Sequence, residues 1–139
     1  MGSTLTLDDG RVRRLTEPTS VARAQVAVAA AADKKGVDLA ILDVGDVLSI
    51  IDLFVLASAS NARQVRTIVE EVEQALTEHD GSKPLSVEGL ADASWVLLDY
   101  GDVVVHVFLD ETRAYYDLDR LWGDVPRLEV SVPATQAAT

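Results

Sequence analysis

Cysteine is absent from this 139-residue chain, which removes disulfide frameworks, thiolate nucleophiles and thiolate metal sites together. Histidine occurs twice, so a metal centre would have to rest on carboxylates. No apolar run reaches the roughly 18 residues that a membrane span requires. The N-terminus lacks a basic segment followed by an apolar core and a small-residue cleavage site, so no signal peptide is evident. A soluble cytoplasmic protein with no membrane contact is the expectation. Aromatic residues are scarce at 5%, and most of them, Trp95, Tyr100, Tyr115, Tyr116 and Trp122, fall in the last third.

Positive charge is also in short supply. Formal net charge is −11, and from Asp33 to Glu129 there are 20 acids against 8 bases, while the first 23 residues are slightly basic. A field of this sign repels a bare phosphate backbone and attracts basic surfaces, so little direct RNA contact and a basic protein partner are expected. An acidic composition also serves solubility alone.

Length and a hydrophobic fraction of 48% fit one ordinary domain, long enough to bury about two-thirds of the surface its unfolded chain exposes. Residues 1–18 show no sustained period and read as a disordered arm, residues 131–139 as a disordered tail, and residues 19–130 as the domain. A first helix is predicted from Thr19 or Ser20, either of which can cap it, to about Lys35, where Gly36 stops it. Leu39 to Val44 and Leu53 to Ala57 read as interior strands. A helix capped by Ser58 or Ser60 follows, with Val65, Ile68, Val69, Val72 and Leu76 at helical spacing. After the break at Asp80 to Pro84 comes a short edge strand near Leu85 to Val87. Trp95 to Asp99 and Val103 to Leu109 form a hairpin around Tyr100, Gly101 and Asp102. A last helix capped by Asp110 carries Tyr115, Leu118 and Trp122 on its inner face. This order implies a single-domain α/β sandwich, a mixed sheet flanked by helices.

Catalytic constellations are hard to assemble from these residues. A nucleophilic triad needs Ser or Thr beside His beside a carboxylate. His106 is the one histidine in a core segment, pointing with Val104 and Phe108, and reads as a hydrogen-bonded histidine on a sheet face. Asp117 and Asp119 diverge by about 200° on a helix and cannot clasp one ion. Asp43 with Asp46, and Asp99 with Asp102, flank turns where acids usually satisfy local amides. Neither phosphate-cradling glycine motif is present; the nearest candidate, Ser58 to Asn61 before a helix, is explained by capping. No cofactor and no metal are expected.

What remains is a binding surface. Trp and Tyr are common interface anchors because they bring much apolar area with few torsions to freeze. Trp95, Leu97 and Asp99 share one face of their strand, and Val96, Leu98 and Tyr100 the other. If helices cover one side of the strand, one set is core and the other is available to a partner.

The run from Trp95 to Val107, Trp-Val-Leu-Leu-Asp-Tyr-Gly-Asp-Val-Val-Val-His-Val, resembles the signature of the Iojap-like ribosome silencing factors. Asp52 to Val65 looks like that family's Asp-x-Phe-Val strand followed by Ser-x-x-Ser-x-Arg-Gln. Arg113 with Tyr115 to Trp122 looks like its Arg-x-x-Tyr-x-Leu-Glu-x-Leu-Trp ending, with Asp119 in place of the glutamate. The match runs in order from about Val21 to Val130. The resemblance implies a fold related to nucleotidyltransferases without their catalytic acids, and therefore no enzyme. It implies a factor that binds the large ribosomal subunit through ribosomal protein fourteen, blocks joining of the small subunit and represses translation when nutrients are limiting. Trp95, Leu97, Asp99, Tyr100 and Asp102 are the binding residues expected on this ground, Trp95 and Tyr100 as apolar anchors and Asp99 and Asp102 as charge partners. A homodimer of the free protein that opens to expose this face is compatible with it. The competing classes are a metal-dependent nucleotidyltransferase-like enzyme on the same fold and a regulatory domain that only self-associates.

Overall fold

The computed structural model of the chain describes residues 16–48 and 50–130, and the backbone of residues 5–8 and 11–14. Two strands, β1 (Leu5–Asp8) and β2 (Arg11–Arg14), pair antiparallel with Leu5 opposite Arg14. The sequence pattern gave these residues no element, so a hairpin stands within the expected disordered arm. The expected tail at 131–139 lies outside the described residues.

Helix α1 (Pro18–Asp33) starts on a proline, whose missing N–H costs nothing in the first turn. Thr19 and Ser20 are inside the helix and Glu17 holds the cap position without a side-chain bond, so neither expected cap is used. Strand β3 (Val37–Asp43) runs antiparallel to β4 (Leu53–Ala59), whose seven residues are all buried. Burial on both sides explains why β4 reads as a continuous apolar run rather than an alternation. Helix α2 (Ala62–Asp80) buries Val65, Ile68, Val69, Val72 and Leu76, the five positions its period marked. Its cap is Asn61, whose side chain accepts from the Gln64 N–H at 2.8 Å, while Gln64 Oε1 accepts from the Ser60 N–H at 3.0 Å. Ser58 is unavailable as a cap because it is the buried penultimate residue of β4.

Strand β5 (Ser86–Glu88) forms the expected short edge, followed by β6 (Trp95–Asp99) and β7 (Val103–Leu109). β6 and β7 pair antiparallel, and β7 lies parallel to β4. The last helix is not continuous. α3 (Asp110–Tyr116) and α4 (Leu118–Leu121) are separated by Asp117 at φ +50°, a left-handed conformation that Asp tolerates better than most residues. The break turns Leu118 inward to 7% exposure and leaves Tyr115 82% exposed, so Tyr115 and Leu118 do not share the inner face an unbroken helix would give them. A final strand, β8 (Arg127–Leu128), was not foreseen because two residues carry no period.

The six-stranded sheet has the order β5-β6-β7-β4-β3-β8 and is mixed. One core lies between the sheet and the α1–α2 pair, with Ala24, Val28, Ile41, Val55, Ile68, Val96, Leu98 and Val105 among its residues. The opposite face holds a smaller core of Ala40, Leu42, Val44, Phe54, Leu56, Val104, Phe108 and Leu118. Among the described residues, the short α3 and α4, the turn that follows them through Trp122 and Val125, and Leu48 and Ile51 cover that second face, and Trp95 and Leu97 stay half-buried on it. Among the described residues no helix is long and apolar enough to cross a membrane.

Candidate protein-binding face

The pleat of β6 sorts its residues as the alternation requires. Val96, Leu98 and the following Tyr100 are buried toward α1 and α2, while Trp95, Leu97 and Asp99 are half-buried on the opposite side. Cross-strand register sets Trp95 opposite Phe108, Leu97 opposite His106 and Asp99 opposite Val104. Rings therefore gather on the open face. The Trp95 ring is 5.2 Å from Phe108 and 5.6 Å from Tyr116, His106 is 4.5 Å from Phe54, and Phe54 is 5.1 Å from Trp122. This strip crosses β6, β7 and β4. Its rim is exposed at Tyr115, Tyr116 and Leu121, and a cleft of about 400 Å³ opens there, lined by Ser94, Glu111, Thr112, Tyr115 and Tyr116.

Trp95 donates its indole N–H to His106 Nδ1 at 3.2 Å. Burial holds the imidazole well below its ordinary value, at about 4. His106 is thus a neutral acceptor that fixes the Trp95 ring, not a charged surface group. The Asp99 carboxylate accepts from the Gly101 N–H at 2.8 Å and remains half-exposed.

The five residues expected to bind together do not form one surface. Tyr100 is 5% exposed and packs in the helix-side core, which removes it as an accessible anchor in this conformation. Desolvation pushes its hydroxyl up to about 12. Asp102 accepts from Ser20 Oγ and from Arg23 Nη1. Arg23 also reaches Asp80 at 3.2 Å and lies 5.6 Å above the Tyr100 ring. Tyr100 and Asp102 thus tie the hairpin turn to both long helices. Trp95, Leu97 and Asp99 stay together on the open face.

Sequence reasoning missed Tyr116 as a neighbour of Trp95, and Phe54 and Trp122 as further members of the same strip, because the strip is assembled across strands and from a helix broken at Asp117. It also missed the role of Arg113. This buried guanidinium donates to Asp119 from Nε and Nη2 at 3.1 and 2.9 Å, to Ser58 Oγ at 2.8 Å and to the Asp38 carbonyl at 2.7 Å. The Arg113 hydrogen bonds hold the Asp119 carboxyl below its usual range. The pair locks α4 against α3 and the sheet, and so sets where Trp122 and Tyr116 stand. Among the described residues no group of three or more His, Cys, Asp or Glu side chains could hold a metal ion.

Fold and face together define a small α/β protein whose second sheet face, among the described residues, is aromatic in its middle and rimmed by exposed tyrosines. The profile of the family described as "Ribosomal silencing factor during starvation" matches residues 17–139, and the chain belongs to that family. The ribosomal silencing factor RsfS of Bacillus subtilis (strain 168) is 37% identical over 112 residues, covering 81% of this chain and 94% of that protein. The chloroplastic protein Iojap of Zea mays is 32% identical over 104 residues, covering 73% of this chain but 43% of that longer protein. Among solved structures, protein CV0518 of Chromobacterium violaceum superposes with a TM-score of 0.70 at 34% identity, covering 86% of this chain and 98% of that one. The resemblance carried by the three motifs is therefore one of family membership.

Proposed function

We propose that this chain binds the large ribosomal subunit through ribosomal protein fourteen and blocks joining of the small subunit by occupying the contact, repressing translation when nutrients are limiting and catalysing no reaction. The observation that carries this reading is the aromatic strip that comes to the surface at half-buried Trp95 and exposed Tyr116, in a chain of net charge −11. Aromatic area held rigid by a sheet loses little entropy on docking, and surrounding acids favour a basic ribosomal protein. Trp95, Leu97 and Tyr116 supply apolar contact, and Asp99 faces Lys or Arg of the partner. Tyr100 and Asp102 contribute by holding the hairpin in place. The factor acts by steric exclusion, which requires only that the bound domain and the small subunit claim the same surface.

Sedimentation of purified subunits tests this directly. The protein is expected to co-migrate with large subunits and to lower the joined fraction. Trp95→Ala is expected to weaken the complex by roughly 1–3 kcal/mol, and Asp99→Lys to lose more affinity at low salt than at high salt. A folded chain that leaves subunit joining unchanged sinks the reading. A Trp95→Ala protein that binds like the parent removes the strip from the contact.

A further inference from the structure

Several of the nine Lys and Arg side chains among the described residues already serve internal contacts. Arg23 pairs with Asp80 and Asp102, Arg113 and Arg127 share Asp119, and Arg120 lies 3.9 Å from Asp117. Lys35, Arg63 and Lys83 are exposed with no acidic partner within 4.0 Å among the described residues, and of these Lys35 and Arg63 stand together. Lys34 stands beside them with loose pairings of 3.9 and 4.0 Å to Asp33 and Glu71. Together with Asn61, Gln64 and Thr67, Lys34, Lys35 and Arg63 line a concave surface of about 340 Å³.

That surface is built, not incidental to mobile side chains. Gln64 Nε2 donates to the Lys34 and Lys35 carbonyls at 3.2 and 3.0 Å, fastening the end of α1 to the start of α2. Lys35 sits at φ +68° in the turn that leads into β3. Strand register fixes where the patch lies relative to the aromatic face. Val37 pairs with Ser58, Ala59 with Leu109, and Trp95 with Phe108, so all these residues stand at one end of the sheet. The basic patch flanks that end on the helix side, and Tyr115 and Tyr116 flank it on the open side.

We propose that Lys34, Lys35 and Arg63 form a second contact surface that takes the phosphate backbone of RNA at the rim of the docked domain. This rests on the ribosomal reading above, and it confines direct RNA contact to one edge. A body of net charge −11 repels phosphate at long range, but at physiological salt charge is screened beyond about 8 Å. What a phosphate meets at contact distance is therefore the local set: the Arg63 guanidinium, able to bond two oxygens at once, the Lys35 ammonium, and the Lys34 ammonium that it must share with Asp33 and Glu71. Approach is driven by the aromatic face, and the patch then meets whatever RNA borders the protein partner.

The test compares full-length Lys35→Gln, Arg63→Gln and the double variant with Lys83→Gln, an exposed lysine beyond the far end of α2. Affinity for large subunits is measured across a salt series, and affinity for isolated ribosomal protein fourteen in parallel. The double variant is expected to lower the slope of log affinity against log salt by about two, one per phosphate contact. Lys83→Gln is expected to leave the slope unchanged, and all variants to bind the isolated protein like the parent. A parental slope in the double variant overturns the proposal, as does an equal loss on the isolated protein. A second measurement separates this inference from the ribosomal reading: an amide-shift titration of the parent with a short A-form RNA duplex at low salt. Shifts gathered at residues 34–36 and 61–67 support the patch, and shifts absent or gathered elsewhere overturn it. Failure of the parent to bind large subunits removes the proposed function, and the RNA titration then decides the patch alone.

Discussion

Trp95 and His106 meet across the β6–β7 ladder with the indole N–H donating to Nδ1 at 3.2 Å. The ring must therefore be unprotonated at Nδ1, and a second proton would set a donor against a donor at a buried ring.

Stability should carry the signature of that neutral histidine. Burial lowers the His106 pKa from 6.5 to about 4, so between these values the unfolded chain binds a proton that the folded chain does not. Stability is then full above pH 6.5, falls as pH drops toward 4 and levels below it. The drop is on the order of 3 kcal/mol. Urea unfolding at several pH values, compared with His106→Gln, isolates this contribution. Parallel curves for the two proteins would show that His106 titrates normally.

Tyr100 is expected to behave as a core residue. Its hydroxyl is buried without a hydrogen-bond partner among the described residues, so Tyr100→Phe should be neutral or stabilise by up to about 1 kcal/mol. Tyr100→Ala should cost about 3–5 kcal/mol through the cavity it leaves. In an alkaline absorbance titration, one tyrosine of the three should ionise late, near 12, because desolvation raises it. Its contribution to stability is present below pH 10 and lost as pH rises through 12. A phenolate appearing near 10 for all three would show Tyr100 exposed.

Arg113→Ala should destabilise by roughly 1–3 kcal/mol, since it leaves the buried Ser58 hydroxyl without its donor and unties Asp119. Arg113→Lys keeps the charge but cannot reproduce the two-pronged contact with Asp119. It should therefore free α4, visible as quenching-accessible Trp122 fluorescence in a Trp95→Phe background. An unchanged Trp122 environment would argue that the Arg113–Asp119 pair does not position it.

Gly89 stands at φ +85°, and a Cβ placed there would lie 2.2 Å from the Trp95 carbonyl oxygen. Gly89→Ala should therefore cost at least about 1–3 kcal/mol and shift the start of β6. Thermal unfolding reads the first effect and Trp95 emission the second. A parental Tm with unchanged emission would refute both.

In α2 and β6, sequence and structure agree residue for residue. Val65, Ile68, Val69, Val72 and Leu76 form the buried stripe of α2, and Trp95, Leu97 and Asp99 separate from Val96, Leu98 and Tyr100. These follow from periods of 3.6 and 2, which the backbone imposes whatever the surroundings. Caps were misplaced by a few residues because Ser20, Ser58, Ser60 and Asn61 are locally equivalent. Tertiary bonds decided among them, Ser20 going to Asp52 and Asp102 and Ser58 to Arg113. The break at Asp117 left no mark in the pattern, since Tyr115, Leu118 and Trp122 fit an unbroken helix equally well.

By itself the sequence determined the class of fold, the sign of charge offered to a partner, the family and the two faces of β6. Those properties are local or additive, and each can be counted along the chain. Which face of β6 stays open was decided only in three dimensions, because it depends on where the helices pack. α1 and α2 bury the side holding Tyr100, while the two short helices leave the side of Trp95 half covered. The division of the five expected binding residues, with Trp95, Leu97 and Asp99 half-buried on one face, Tyr100 buried under the helices and Asp102 held at their edge by Ser20 and Arg23, follows from that packing.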